Sequence, residues 1–222
     1  MPPSPASRRL FRWRGAAVLI TSGPTREYLD PVRFLTNASS GRMGRELARA
    51  ALRRGAAVTV VCGPCEVPPP AGAVVVPVVT AAQMRRETLR RVSTARVLIG
   101  AAAVADWRFS SFSRHKLKRG RSALRLTLVP NPDIIKEAAA RRGAGCVAVG
   151  FALETRGGPR AAREKLLAKG LDLVVANGPA SVGAERSRFD IVSRAGTRRL
   201  GVVSKRRAAG LILDAAAGVL GG

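Results

Sequence analysis

Short aliphatic runs recur along this chain, separated by stretches in which apolar positions return every three or four residues. The runs fall at 16–21, 57–62, 73–78, 96–100, 146–150 and 172–176. Val58-Thr-Val-Val-Cys62 and Val97-Leu-Ile-Gly100 are nearly continuous, the pattern of strands covered on both faces. Helical spacing occupies 43–54, 80–93, 132–142, 159–169 and 204–218. Strands alternating with helices predict an α/β fold: a doubly wound, mostly parallel sheet with right-handed crossovers. Two segments break the rhythm. Residues 107–131 read as an exposed flap in which Leu124-Arg-Leu-Thr-Leu-Val129 alternates as a strand should. Residues 189–193 and 199–203, joined by Arg194-Ala-Gly-Thr197, read as a C-terminal β-hairpin.

With 222 residues and 46% apolar content, the chain is long enough for one cored domain, expected over 16–218. Met1 to Gly15 is rich in proline, serine and arginine and is expected to be a mobile basic leader. Its apolar continuation is too short for an export signal, and no segment has the length of a membrane span. Three cysteines make an odd set. Cys62-Gly-Pro-Cys65 has redox or metal spacing, but one histidine and Cys146 supply few further ligands. Ordinary reduced thiols, no protein metal site and a cytoplasmic location are therefore expected.

Charge changes the picture more. A net +25 points first to nucleic acid. Yet only 4% of residues are aromatic, and no basic block is interleaved with stacking rings. Nonspecific, salt-sensitive polyanion binding is the expectation; a nucleic-acid-binding protein on a degenerate enzyme scaffold remains the second class. A nicotinamide oxidoreductase is the third. It fits less well because the first turn lacks Gly-x-Gly-x-x-Gly and Cys62-Gly-Pro stands where an acidic ribose partner should end the next strand.

Candidate chemistry concentrates in Phe34-Leu-Thr-Asn-Ala-Ser-Ser-Gly-Arg-Met-Gly44, between the first strand and the first helix. Backbone amides at such a turn and helix start make an anion cradle. Gly41 and Gly44 would let the backbone approach a ligand closely. Ala101-Ala-Ala-Val-Ala-Asp106 and Phe151-Ala-Leu-Glu154 end other strands at the same edge, where ligands of open α/β sheets bind.

Together, Leu19-Ile-Thr-Ser-Gly-Pro-Thr-Arg-Glu27, Asp30-Pro-Val-Arg-Phe34, Asn37-Ala-Ser-Ser-Gly-Arg-Met-Gly44, Ala102-Ala-Val-Ala-Asp106, Asn131-Pro-Asp-Ile134 and Gly150-Phe-Ala-Leu-Glu-Thr155 resemble bacterial phosphopantothenoylcysteine synthetase, in family order from about residue 16 to 218. The resemblance implies a Rossmann-like ligase of coenzyme A biosynthesis that joins 4′-phosphopantothenate to L-cysteine. CTP would first convert the carboxylate to an acyl-cytidylate, releasing pyrophosphate; the cysteine amine would then displace CMP.

By the same resemblance Asn37 would bind the activated carbonyl, and Lys116 in the flap would neutralise triphosphate charge, with Lys118 and Arg119 beside it. Ser39, Ser40, Gly41, Met43 and Gly44 would cradle phosphate. Gly100, Ala101 and Ala102 would line the nucleotide, Asp106 would take the ribose, and Pro132, Asp133, Ile134, Ile135 and Phe151 would frame it. Lys165 and Lys169, at helical i, i+4 spacing, could reach the ligand together. The resemblance also implies Mg2+ with the CTP, no flavin, a homodimer, and a separate decarboxylase downstream of a stand-alone synthetase. Three positions depart from the family: Arg119 for a third flap lysine, Gly178 for a carboxylate, and Arg188 for an uncharged residue.

Overall fold

A computed structural model describes residues 11–120, 122–153 and 158–221. Among these residues twelve strands form: β1 (Ala17–Ser22), β2 (Arg26–Tyr28), β3 (Phe34–Thr36), β4 (Ala57–Cys62), β5 (Val74–Pro77), β6 (Val97–Gly100), β7 (Trp107–Phe109), β8 (Leu128–Pro130), β9 (Val147–Leu153), β10 (Leu173–Asn177), β11 (Arg186–Ser193) and β12 (Gly196–Ser204). The helices are α1 (Arg42–Arg53), α2 (Ala81–Leu89), α3 (Ile134–Ala140), α4 (Gly158–Ala168) and α5 (Lys205–Leu220). Eight strands form one sheet in the order β12-β11-β10-β9-β6-β1-β4-β5. All neighbours from β5 to β10 run parallel; β11 is antiparallel to both β10 and β12. The order reverses direction at β1, which creates the crevice where such sheets bind ligands.

The aliphatic runs are buried on both faces, as their lack of alternation requires. Val18, Ile20, Val97, Ile99, Leu173 and Val175 pack with α1 and α5 residues on one face. Leu19, Leu98, Val174 and Ala176 pack with residues of α2, α3 and α4 on the other. Gly44, Leu47, Ala48 and Ala51 are buried along α1 at helical spacing.

Several boundaries differ from expectation. The 80–93 helix stops at Leu89, and a short 3-10 turn over Val92–Thr94 completes the connection. The 132–142 helix starts only at Ile134, because Asp133 is its cap and accepts the Lys136 amide. β9 runs on through Phe151 to Leu153, since β10 pairs with it that far. The flap strand is the largest correction: among the described residues the strand is Leu128–Pro130, paired with Trp107–Phe109, and one further bond runs from the Ser110 amide to Thr127 O. Leu124, Leu126 and Leu128 are exposed, so nothing packs on the face their alternation marks. The C-terminal hairpin is longer than expected at both ends. The β2–β3 hairpin had no signal beyond its short apolar pairs.

Of the expected leader, residues 1–10 lie outside the described residues. Trp13 packs against the α1/α5 core, and the Gly15 amide donates to Gly55 O at 2.8 Å. Glu154 and Thr155 of the Phe151 motif also lie outside the described residues.

Candidate active site

The C-terminal edges of β1, β6, β9 and β10 border a cleft of about 800 Å³. Asn37, Ser39, Ser40, Gly41, Met43, Gly44, Gly100, Ala101, Ala102, Asp106, Pro132, Asp133, Ile134, Ile135, Phe151, Lys165 and Lys169 all line it. Sequence motifs separated by more than a hundred residues therefore meet in one place. Lys116, Lys118 and Arg119 do not: they are exposed on the flap and are not part of the cleft wall.

Asn37 sits at the cleft mouth, where its Nδ2 donates to Val104 O at 3.0 Å and faces Ala103 O at 3.5 Å. The two carbonyls fix the amide orientation, because the reversed amide would set oxygen against oxygen. The loop after β6 is itself strapped to β1. The Ala101 amide donates to Thr21 O and the Ala103 amide to Gly23 O, and the Thr25 hydroxyl accepts the Ala105 amide at 3.0 Å. The Ala101 and Ala103 amides are thus spent on the protein, so what those residues can offer a ligand is carbonyl oxygen.

The two turn glycines line the cleft and are also packed closely against the chain. Gly41 caps α1 in the left-handed region (φ 79°), and a Cβ there would lie 2.8 Å from Cys65 Cβ. A Cβ on Gly44 would strike the Ser22 side chain, 2.5 Å from its Cβ. At Gly100 an added Cβ would lie 2.8 Å from Ile135 Cδ1, the tip of a side chain. Chain packed on chain thus constrains all three glycines along the cleft wall.

Asp106 is exposed, and among the described residues no side-chain partner holds its carboxylate; its backbone oxygen accepts the Asn131 amide. Asp133, by contrast, is occupied twice: it caps α3 and pairs with Lys169 Nζ at 2.7 Å. Lys169 therefore reaches the cleft as half of an ion pair. Asn131, which opens the Asn131-Pro-Asp-Ile134 motif, lines the same cleft, and its Nδ2 donates to Ala105 O at 2.9 Å. Missed by sequence reasoning was Lys205, a buried cleft residue whose Nζ donates to Ser181 O at 3.0 Å. The signal for Lys205 was present: a lysine at the first helical position opposes the helix dipole.

Asp30 anchors the flap. It is fully buried and accepts the Val32 and Arg33 amides, the Arg33 guanidinium at 2.6 Å, and the Leu117 amide at 3.1 Å. Burial alone would raise its pKa; the three amides and the guanidinium outweigh burial and hold it far below the usual carboxylate range. Arg33 Nη2 also donates to Leu117 O, so this carboxylate and guanidinium grip the flap between Lys116 and Lys118. Cys62 and Cys65 are free thiols with Sγ atoms 3.5 Å apart. Burial, and then Cys65, pushes the Cys62 thiol up to about 12. Its side chain, not an acidic one, ends β4, which leaves the ribose-binding feature of nicotinamide enzymes without a counterpart there. No group of three or more His, Cys, Asp or Glu residues able to hold a metal occurs among the described residues. No helix among them is long and apolar enough to cross a membrane.

Comparison with known proteins identifies relatives of this chain and of its fold. The coenzyme A biosynthesis bifunctional protein CoaBC of Vibrio cholerae is 43% identical over 165 residues, covering 73% of this chain and 41% of that protein. The Bacillus subtilis CoaBC is 41% identical over 197 residues, 86% of this chain and 48% of that protein. The chain thus spans less than half the length of these relatives. A crystal structure of the C-terminal domain of CoaBC superposes with a TM-score of 0.80 at 32% identity, covering 95% of this chain and 98% of that one. The family model for the DNA/pantothenate metabolism flavoprotein C-terminal domain matches residues 13–219, and the chain belongs to that family.

Proposed function

We propose that this chain is a CTP-dependent phosphopantothenate–cysteine ligase. One observation carries the reading: the Asn37–Gly44 turn, Asp106, Phe151 and Lys165 line a single cleft at the strand edge, although they are scattered along the sequence. The named role of the CoaBC relatives in coenzyme A biosynthesis supports it.

In the first half-reaction a carboxylate oxygen of 4′-phosphopantothenate attacks the α-phosphorus of CTP. The bond to the β-phosphate breaks and pyrophosphate leaves. A carboxylate resists amine attack because oxide is a poor leaving group; the acyl-cytidylate offers CMP instead. In the second half-reaction the cysteine amine adds to the acyl carbon, the C–O bond to CMP breaks, and the nitrogen loses a proton. Asn37 would turn one amide hydrogen from Ala103 O toward the acyl oxygen as it gains negative charge, while the other stays on Val104 O. A donor aimed at such an oxyanion is worth about 10²–10³ in rate. Carbonyls of the Gly100–Ala102 segment suit the amino group of cytosine, and the Asp106 carboxylate, without a side-chain partner among the described residues, suits ribose hydroxyls. The ordered α1 start, with no acidic residue in its first turn, suits phosphate.

Mg2+ would be carried mainly by phosphate oxygens and water, as it commonly is with nucleotides. Among the described residues Asp106 is the cleft carboxylate free to contribute, and the metal would offset charge on the leaving pyrophosphate; no flavin has a place in this chemistry. Lys116 would act by closure of the flap over the cleft. The exposed Phe112, Leu124, Leu126 and Leu128 would be covered in a homodimer. A decarboxylase would consume the product, and free thiols suit a reducing cytoplasm.

The test is pyrophosphate release with CTP or ATP, with and without phosphopantothenate, followed by addition of cysteine. The reading expects CTP-dependent release that needs phosphopantothenate, and amide product with CMP only after cysteine is added. Intact CTP and ATP in the complete mixture would refute it.

A further inference from the structure

α1 and α5 lie side by side on one face of the sheet, their Leu47, Ala48, Ile212 and Leu213 in one core. Because β12 runs parallel to β10, α5 begins at the same sheet edge as α1. Two helix N-termini, each with partial positive charge, therefore meet at the cleft. Helices normally place acidic residues there. Neither does: both first turns lack carboxylates, and the first residues are Arg42 and Lys205. α1 also has no side-chain cap, since Gly41 can supply none.

Lys205 is only 8% exposed and has one protein acceptor, Ser181 O. No carboxylate pairs with it among the described residues. Burial, and then the charge of Arg42, pulls its pKa down. A buried ammonium that no described carboxylate pairs, beside a guanidinium and two positive helix ends, is an arrangement whose stability an anion would raise. The anion must carry several charges to balance this group.

We propose that Lys205, with Arg42 and the α1 start, forms a polyphosphate site that takes the pyrophosphate portion of the nucleoside triphosphate. The identity of the triphosphate rests on the ligase reading; the anion site itself does not. Holding both the β- and γ-phosphates there would favour departure of pyrophosphate when the α-phosphorus is attacked.

The test titrates inorganic pyrophosphate and, separately, CMP into the whole chain at physiological salt by calorimetry. The variants are Lys205→Gln, which keeps a donor for Ser181 O, Lys205→Met, and Arg198→Gln as an exposed charge-loss control. The expected result is pyrophosphate binding weakened about 10- to 100-fold in both Lys205 variants, as loss of a charge-assisted bond implies. Arg198→Gln should bind as the parent does, and CMP binding should stay within about twofold throughout. Lys205→Met should melt no lower than the parent, because an apolar chain replaces an unpaired buried charge. Equal pyrophosphate binding by parent and Lys205→Gln overturns the proposal. So does equal weakening by Arg198→Gln, which marks diffuse attraction, or loss of CMP binding and melting temperature together in both Lys205 variants, which marks a structural tether. Lys205-dependent pyrophosphate binding in a chain that never turns over CTP would leave this site standing and remove the ligase reading.

Discussion

Substituting Gly44→Ala isolates how α1 is seated on β1. The new Cβ would lie 2.5 Å from Ser22 Cβ and 3.4 Å from Ser22 Cα. Carbon atoms in contact need about 3.5–4.0 Å, so α1 must retreat by about 1 Å or Ser22 must move. Ser22 is buried and its carbonyl accepts the Gly63 amide at 2.9 Å, so it has little room. Overpacking of this kind costs about 1–3 kcal/mol, against which alanine returns at most about 1 kcal/mol of helix propensity. The net expectation is a loss of about 1–2 kcal/mol, or roughly 2–8 °C in Tm for a chain of this size. Gly218→Ala is the control: it sits in α5 with nothing within 4 Å of the added Cβ, so only the propensity gain applies and Tm should hold or rise. Adding Ser22→Gly to Gly44→Ala removes the clashing atoms and should recover part of the loss, a coupling visible in a double-mutant cycle by thermal and urea unfolding. CTP affinity should fall in Gly44→Ala, because the α1 start moves with the helix. A Gly44→Ala chain as stable as the parent, or a cycle with no coupling to Ser22, would refute the packing argument.

Other expectations follow from the same structure. Asp30→Asn should loosen the flap, since an amide nitrogen would face the Arg33 and Leu117 donors that the carboxylate accepts; faster hydrogen exchange over 114–120 would report it. Because the folded-state pKa of Asp30 is depressed, its stabilisation is complete above the ordinary carboxylate value of about 4 and declines as pH falls below it. The variant should therefore lose part of the acid dependence of Tm between pH 5 and 3, and an unchanged profile would contradict the grip. Cys62 and Cys146 have thiols raised by burial, so iodoacetamide at about pH 8 should leave both unmodified until denaturant is added, as read by peptide mass spectrometry. Asn37→Asp would set a carboxylate against the Ala103 and Val104 carbonyls and remove the donor for the acyl oxygen. Amide formation should drop about 10²–10³-fold while CMP still binds; an unaltered rate would remove Asn37 from the mechanism.

Local pattern by itself determined the layers of this protein. Continuous aliphatic runs such as Val97-Leu-Ile have no polar face to leave in water, so they had to become covered strands; Gly44, Leu47, Ala48 and Ala51 could share a face only on a helix. The chemistry-bearing turn was legible too, because Asn37 to Gly44 combines polar, glycine and helix-start residues between a strand and a helix. Tertiary structure decided what no local window contains. Gly41 and Gly44 look alike in sequence whether or not other chain presses on them, and only the placement of Cys65 and Ser22 shows that it does. The alternation of Leu124 to Val129 promised a half-buried strand, yet pairing needs a partner, and among the described residues the fold supplies one from Thr127 to Pro130. Lys205 reads as one more cation in a chain crowded with them until β12 carries α5 to the edge beside α1. Periodicity reports which face of an element must be dry; which distant groups meet at its ends is set by strand order and helix packing.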